Sequence, residues 1–311
     1  MSYQNFLFNI KAQLSRLIDK DITLNIQTIT KNNGTHYDGL VLLNPEYNIS
    51  PTIYLQPYYH RFLNGVSMEE ICEDILATYR KHLPEKDFDT TLFTDFEKAA
   101  PRIVMHLVNY AKNETLLQRV PHFCYQDLAI IFYCMLHATD ETQANILIHN
   151  VHLDMWKTDK DTLYALAMEN TPSLLPWELS SMGEVLQECH MQEEFLHDEI
   201  PMYILTNRYR TNGASVILYE NLLAEISEHF GKDLIILPSS IHEVLLLPTD
   251  TLEENELTQY TAMVREVNET QLSDDEILSD HVYYYSRSNQ FVSSHTGFVP
   301  LLCREAQAGY C

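Results

Sequence analysis

Residues 22–43 constrain this chain more than any other stretch. ITLNIQTIT (22–30) is rich in β-branched side chains, which suit an extended backbone. KNNG (31–34) supplies a turn, and YDGLVLL (37–43) resumes the apolar pattern, so the segment predicts an antiparallel hairpin. The flanks narrow the choice. MSYQNFLFNIKAQLSRLIDKD places Phe6, Ile10, Leu14 and Leu17 on one helical face. PTIYL (51–55) reads as a third strand. Ser67-Met68-Glu69-Glu70 is a capping box ahead of Ile71, Ile75, Leu76 and Tyr79 at helical spacing. An α-β-β-β-α opening implies an antiparallel sheet with helices on one face.

Further along, RIVMHLVNY (102–110), LAIIFYCML (128–136) and ANILIH (144–149) read as strands, and Asp159 or Asp161 opens a helix that Pro172 and Pro176 follow. WELSSMGEVLQECHMQEEFLHDE (177–199) begins as a helix. MYILT (202–206) and ASVILY (214–219) are expected strands around the turn NRYRTNG. A helix over 220–231 closes on Gly231. DLIILP (233–238) and HEVLLLP (242–248) are strands joined by Ser239, Ser240 and Ile241. ENELTQYTAMVREVNET is a helix, a second capping box at Ser273–Glu276 starts a short one, and HVYYYS (281–286) is a closing strand. The fold class is therefore α+β, antiparallel or mixed sheets with helices packed on them. Its halves are expected at 1–140 and 141–290, with a loosely held tail over 291–311.

Charge limits function more than it limits fold. Forty-four acidic residues face twenty basic ones, for a net charge of -24 at pH 7. Nucleic-acid binding draws on Lys and Arg neutralising phosphates, and anionic membranes ask for the same groups, so both partners are disfavoured. The N-terminus has no basic segment leading into an apolar one, and the longest apolar run, LAIIFYCMLHA (128–138), is too short to span a bilayer. The six cysteines are widely spaced without a CxxC pair and read as reduced, mostly buried thiols. These features together indicate a cytoplasmic protein.

Few residues offer chemistry. In LPSSIHEVLLLPTD (237–250), Ser240 and His242 are two apart and share a face of an extended segment, whereas Glu243 points the other way and cannot orient His242 as a triad carboxylate does. Ser239 and Ser240 satisfying turn amides between two strands is the simpler reading. His149 and His152 sit three apart near Asp154, helical spacing for two metal ligands, but no third ligand motif accompanies them. His190, Glu193 or Glu194, and His197 could share a helical face in an acidic run, which reads as an incidental surface cluster. His122 and Asp127 flank Cys124 at the mouth of an apolar run, a poor setting for a reactive thiolate. Asp95 and Glu97 could be an acid–base pair or a helix cap. Among eight glycines there is no GxGxxG or GxxxxGK, so no cofactor is expected.

Long blocks also resemble one family. NISPTIYL (48–55), LFTDFEK (92–98), VPHFCYQDLAIIFY (120–133), ILIHNVHLDMW (146–156), LYALAMENTPSLLP (163–176), MYILTNRYRTNGASVILY (202–219), LPSSIHEVLLLP (237–248) and MVREVNETQLSDDEILSDHVYYYSR (263–287) are similar to a bacterial family of unknown function, domain of unknown function 5688, over about residues 3–287. The resemblance implies a cytoplasmic protein from the genes of integrated or conjugative elements, and transfers no catalytic residue. Two functional expectations follow. The first is a non-enzymatic, acidic protein-binding protein, a mobile-element DNA mimic or inhibitor of a partner with a basic surface. The alternative is a hydrolase-like enzyme using Ser239-Ser240-x-His242, or a metal held by His149 and His152.

Overall fold

The computed structural model describes residues 1–83, 89–138, 143–188, 201–251 and 254–294. The protein is α+β and divides into two compact units, Met1–Thr90 and Thr91–Cys311.

In the first unit, helix α1 (Tyr3–Leu17) starts at Ser2, whose hydroxyl accepts from the Asn5 amide at 3.4 Å. It buries Phe6, Ile10 and Leu14, while Leu17, the expected fourth member of the stripe, is 57% exposed. Strands β1 (Thr23–Thr30) and β2 (His36–Leu43) form the expected hairpin, in register from Thr23↔Leu43 to Thr30↔His36. β3 (Thr52–Tyr54) joins the other edge of β2. A short helix, α2 (Gln56–Leu63), carries Pro57 in its first turn, where a missing N–H costs nothing. α3 (Met68–Lys81) is capped by Ser67, which accepts from the Glu70 amide at 3.2 Å. Its stripe Ile71, Ile75, Leu76 and Tyr79 packs with Leu40, Leu42 and Leu55 in a core belonging to this unit.

The second unit opens with two single-turn helices, α4 (Thr91–Thr94) and α5 (Phe96–Ala99). They lead into β4 (Ile103–Asn109), which is buried along its whole length. After α6 (Glu114–Leu117) come β5 (His122–Tyr125), the long β6 (Leu128–Ala138) and β7 (Gln143–Leu147). β4 pairs along one edge of β6, while β5 and β7 share its other edge, β5 beside Leu128–Ile131 and β7 beside Tyr133–Ala138. Helices α7 (Asn150–Trp156) and α8 (Lys160–Leu174) follow, and Leu163 and Ala167 of α8 join the core that holds Met105 and Phe132. The remaining strands are β8 (Trp177–Ser181), β9 (Tyr203–Asn207), β10 (Asp233–Leu237), β11 (Glu243–Thr249), β12 (Tyr283–Ser286) and β13 (Phe291–Ser294). They form an antiparallel sheet in the order β13-β12-β10-β11-β9-β8. Helices α9 (Met182–Glu188), α10 (Leu222–Phe230) and α11 (Glu254–Thr270) complete the unit. α10 ends on Gly231 at φ 66°, the left-handed cap that glycine adopts at little cost.

Several expectations need correcting. WELSS is a strand, because its backbone pairs with β9 from Trp177↔Asn207 to Ser181↔Tyr203. ASVILY is a 3₁₀ turn over Gly213–Leu218; residues 213–217 are all buried, and a fully apolar run reads alike in strand or helix. In place of the second capping box, the Ser273 amide donates to Glu276 Oε2 at 3.3 Å, the Glu276 amide to the Ser273 carbonyl at 2.9 Å and the Ser273 hydroxyl to Asp275 at 2.9 Å, closing a turn and not a helix. The chain then runs into a bridge between Ser240 and Ile277. Residues 291–294 of the expected loose tail form β13, paired with β12. The contact division falls after Thr90, not near residue 140, because β6 and β7 on either side of 140 are hydrogen-bonded to each other. Cys72 and Cys134 are free and buried, as expected of reduced thiols, whereas Cys124 is oxidised in a disulfide. No helix among the described residues is long and apolar enough to cross a membrane.

Candidate functional site

Ser240 and His242 do lie close together, but their hydrogen bonds are those of a chain junction. Ser240 is 3% exposed, and its Oγ accepts the backbone N–H of His242 at 3.0 Å. The His242 Nδ1 accepts the Asn212 amide at 3.1 Å, and its backbone carbonyl accepts from Thr206 Oγ1 at 2.7 Å. Its Nε2 lies 3.7 Å from Glu276 Oε1. The backbone on either side is paired as well: Ile241 N–H donates to Glu276 O at 2.9 Å and Leu278 N–H to Ser239 O at 2.8 Å. A serine nucleophile must donate to its base. Here Ser240 receives from the histidine's main chain instead. Glu243 is held above the usual carboxylate range, mainly by burial, with Glu276 adding repulsion.

Behind His242 stands a group that sequence reasoning passed over. His106, on β4, is buried against the Tyr133 ring at 4.5 Å between centroids. Burial, reinforced by His242, lowers its pKa to about 4, so the ring is neutral near pH 7, and its Nε2 has no hydrogen-bond partner among the described residues.

His149 and His152 also meet, in a different role. His149 is the N-cap of α7, and the His152 Nδ1 accepts the His149 backbone N–H at 2.9 Å, closing a capping box in which imidazoles replace the usual Ser and Glu. That lone pair is the one a metal would need. Phe93 and Trp156 pack against the His152 ring at 4.6 and 5.8 Å, and burial lowers its pKa. No group of three His, Cys, Asp or Glu among the described residues could hold a metal ion. His190, Glu193, Glu194 and His197 lie outside the described residues. Asp95 caps α5, its carboxylate accepting the Glu97 amide at 3.1 Å.

A buried polar cluster centres on Asp127, which in the sequence stands only as a neighbour of Cys124. Asp127 follows β5 and is 5% exposed. One carboxylate oxygen accepts from Ser279 Oγ at 2.7 Å and from His281 Nδ1 at 2.9 Å, and the other accepts from the Tyr283 hydroxyl. Burial alone would raise this carboxylate; the three donors outweigh it and hold the pKa below the usual range. His281 is raised in turn, chiefly by its bond to Asp127. An aspartate on Nδ1 of a histidine is half of a triad, but the serine proton is used on the aspartate and Ser279 Oγ accepts the His281 amide at 2.9 Å. The cluster fastens the segment Leu278–Tyr283, which Asn109 also grips through Leu278 O at 2.9 Å and Asn268 through Ser279 O at 2.9 Å.

Beside this cluster a cleft of about 350 Å³ opens among Tyr125, Gln126, Tyr219, Asn221, Tyr285 and Gln290. None of its lining residues is charged. Gln126, Asn221 and Gln290 all have left-handed backbone, with φ of 54°, 60° and 50°, a conformation unfavourable for residues with a Cβ. The Gln126 side chain is tied to Val292 O at 2.8 Å.

No curated protein and no solved structure matches this chain. The model of the family of unknown function DUF5688 matches residues 3–287, the whole chain but its ends, and the protein belongs to that family.

Proposed function

We propose that this is a cytoplasmic, non-enzymatic protein that binds a protein partner with a basic surface. A mobile-element DNA mimic or inhibitor fits that description. The observation that carries the reading is where the charge sits. Residues 91–311 hold 33 acidic against 12 basic side chains, whereas residues 1–90 hold 11 against 8. Within the larger unit, Glu114, Asp154, Asp161, Glu169, Glu225 and Glu269 are all exposed. A surface of this kind speeds encounter with a basic partner and repels anionic ones. The hydrolase alternative draws no support from Ser240 and His242, whose Oγ and Nδ1 each accept a backbone amide and do not bond each other, nor from His149 and His152, which cap a helix.

Affinity capture with the full chain tests this, with bound proteins identified at low and high salt. A DNA-binding protein, released as salt rises and displaced by duplex DNA, is the expected result. Capture that ignores salt, or the absence of any basic partner, would overturn the reading.

A further inference from the structure

The cleft beside Asp127 has the chemistry of a cation receptor. Three tyrosines line it, Tyr125 partly exposed and Tyr219 and Tyr285 buried, and aromatic faces are electron-rich and attract cations. Its three amide side chains add carbonyl oxygens, and no lining cation competes for them. Carboxylates outnumber the cations around it, Arg287 and Lys160. Glu220 and Glu225 are exposed and flank the lining residues Tyr219, Asn221, Leu223 and Ala224 in sequence. Glu228 is near enough to Tyr285 to help raise its hydroxyl pKa, after burial. The ionised Asp127 adjoins Gln126. One intramolecular example of the same contact lies on β5 already: Lys160 Nζ sits 4.6 Å from the centre of the Phe123 ring, two residues before Tyr125.

We propose that this cleft receives an arginine side chain of a basic polypeptide, its planar guanidinium stacked on tyrosine and donating to the amide oxygens of Gln126, Asn221 or Gln290. Arginine suits the site better than lysine because a weakly hydrated, flat cation loses less on leaving water and can stack and donate together. A phosphate or carboxylate ligand is disfavoured by the acidic rim and the uncharged lining. The inference rests on the reading of a basic partner and gives that partner a point of attachment.

The test is calorimetric titration of the full chain with a short arginine peptide and with its citrulline counterpart, which keeps the shape and removes the charge. The arginine peptide binds, and the citrulline peptide binds at least about tenfold more weakly. Tyr125→Leu weakens the arginine peptide about three- to tenfold, while Tyr125→Phe, which keeps the ring, leaves it near wild type. Gln290→Ala and the exposed rim changes Glu225→Gln and Glu228→Gln do not disturb the core, and they weaken binding even if Tyr125→Leu fails to fold. No binding of the arginine peptide, equal binding of the two peptides, or wild-type affinity in Gln290→Ala and both rim variants would overturn the proposal. If a basic partner is captured and these variants hold it as well as wild type does, the cleft proposal falls and the proposed function stands. If the arginine peptide binds in the cleft and no basic protein is captured, the reverse holds.

Discussion

Replacing Asp127 by Asn tests whether the buried cluster holds the larger unit together. The carboxylate accepts from Ser279, His281 and Tyr283 while 5% exposed. Asparagine keeps the shape but offers one acceptor oxygen and turns an NH₂ group toward a donor. Hydrogen bonds to a buried charge contribute about 1.5–3 kcal/mol each, and a donor left unsatisfied costs about 1–3 kcal/mol. A total near 3–5 kcal/mol is expected for Asp127→Asn, the range for breaking a buried pair by removing one partner. Both tryptophans, Trp156 and Trp177, belong to the larger unit, so tryptophan fluorescence in urea follows that unit. With an m-value of roughly 2–3 kcal/mol/M, the midpoint falls by about 1–2 M.

The pH dependence separates charge from shape. Asp127 is lowered in the folded protein, so its contribution is present above the unfolded value near 3.9 and is lost as pH falls through the folded pKa. His281 is raised, so its contribution is complete below about 6.5 and is lost as pH rises through the folded pKa. The wild-type advantage over Asp127→Asn is therefore greatest between about pH 4 and 6.5 and narrows at higher pH. What persists there belongs to Ser279 and Tyr283. A difference that is flat across pH, or a total cost below about 1 kcal/mol, would refute the account of the cluster.

Other consequences can be measured directly. A Cβ at Gly213 would lie 2.2 Å from Thr206 Oγ1, 2.5 Å from His242 O and 2.7 Å from Asn207 N, so Gly213→Ala should destabilise the larger unit by about 2–3 kcal/mol in the same urea assay. His152→Ala should cost about 1 kcal/mol through the lost cap, and zinc should not raise the melting temperature of wild type more than that of the variant. Burial pushes the Cys72 and Cys134 thiols up to about 11, so iodoacetamide at pH 8 should leave both unlabelled until denaturant is added, as peptide mass spectrometry will show.

The sequence carried local features well and long-range ones poorly. The first hairpin, both helices of its αβββα opening and the Ser67 cap depend on neighbours a few residues apart, and all are present. The 3₁₀ turn over Gly213–Leu218 is not legible in the sequence, because the close approach of Gly213 to Thr206 and His242 exists only in space. The role of Asp127 is hidden for a similar cause: its partners Ser279, His281 and Tyr283 lie more than 150 residues away. One hint was present, since SDHVYYY places a serine, a histidine and a tyrosine at alternate positions ahead of an apolar strand, the spacing that puts three donors on one face. Ser240 and His242 drew attention for their chemical types, which say nothing about where their protons go.

Those two residues and the Asp127 cluster belong to one structural seam. The junction Pro238–His242 pairs through its backbone with Glu276–Ser279, and the next residues of that second segment supply the donors to Asp127. β4 borders both ends, with His106 near His242 and Asn109 on Leu278. Buried polar groups that are almost all bonded to one another or to backbone fix a register that an apolar core of the same size would leave less sharply defined. The seam thus accounts for the polar motifs without assigning them chemistry, and it sets the turn after Tyr125 against β12, where the uncharged cleft opens. A double change, Asp127→Asn with Ser240→Ala, discriminates further. If the seam is one unit, the two costs should depart from additivity by about 0.5 kcal/mol or more; strictly additive costs would mean two separate clusters that share only a stretch of chain.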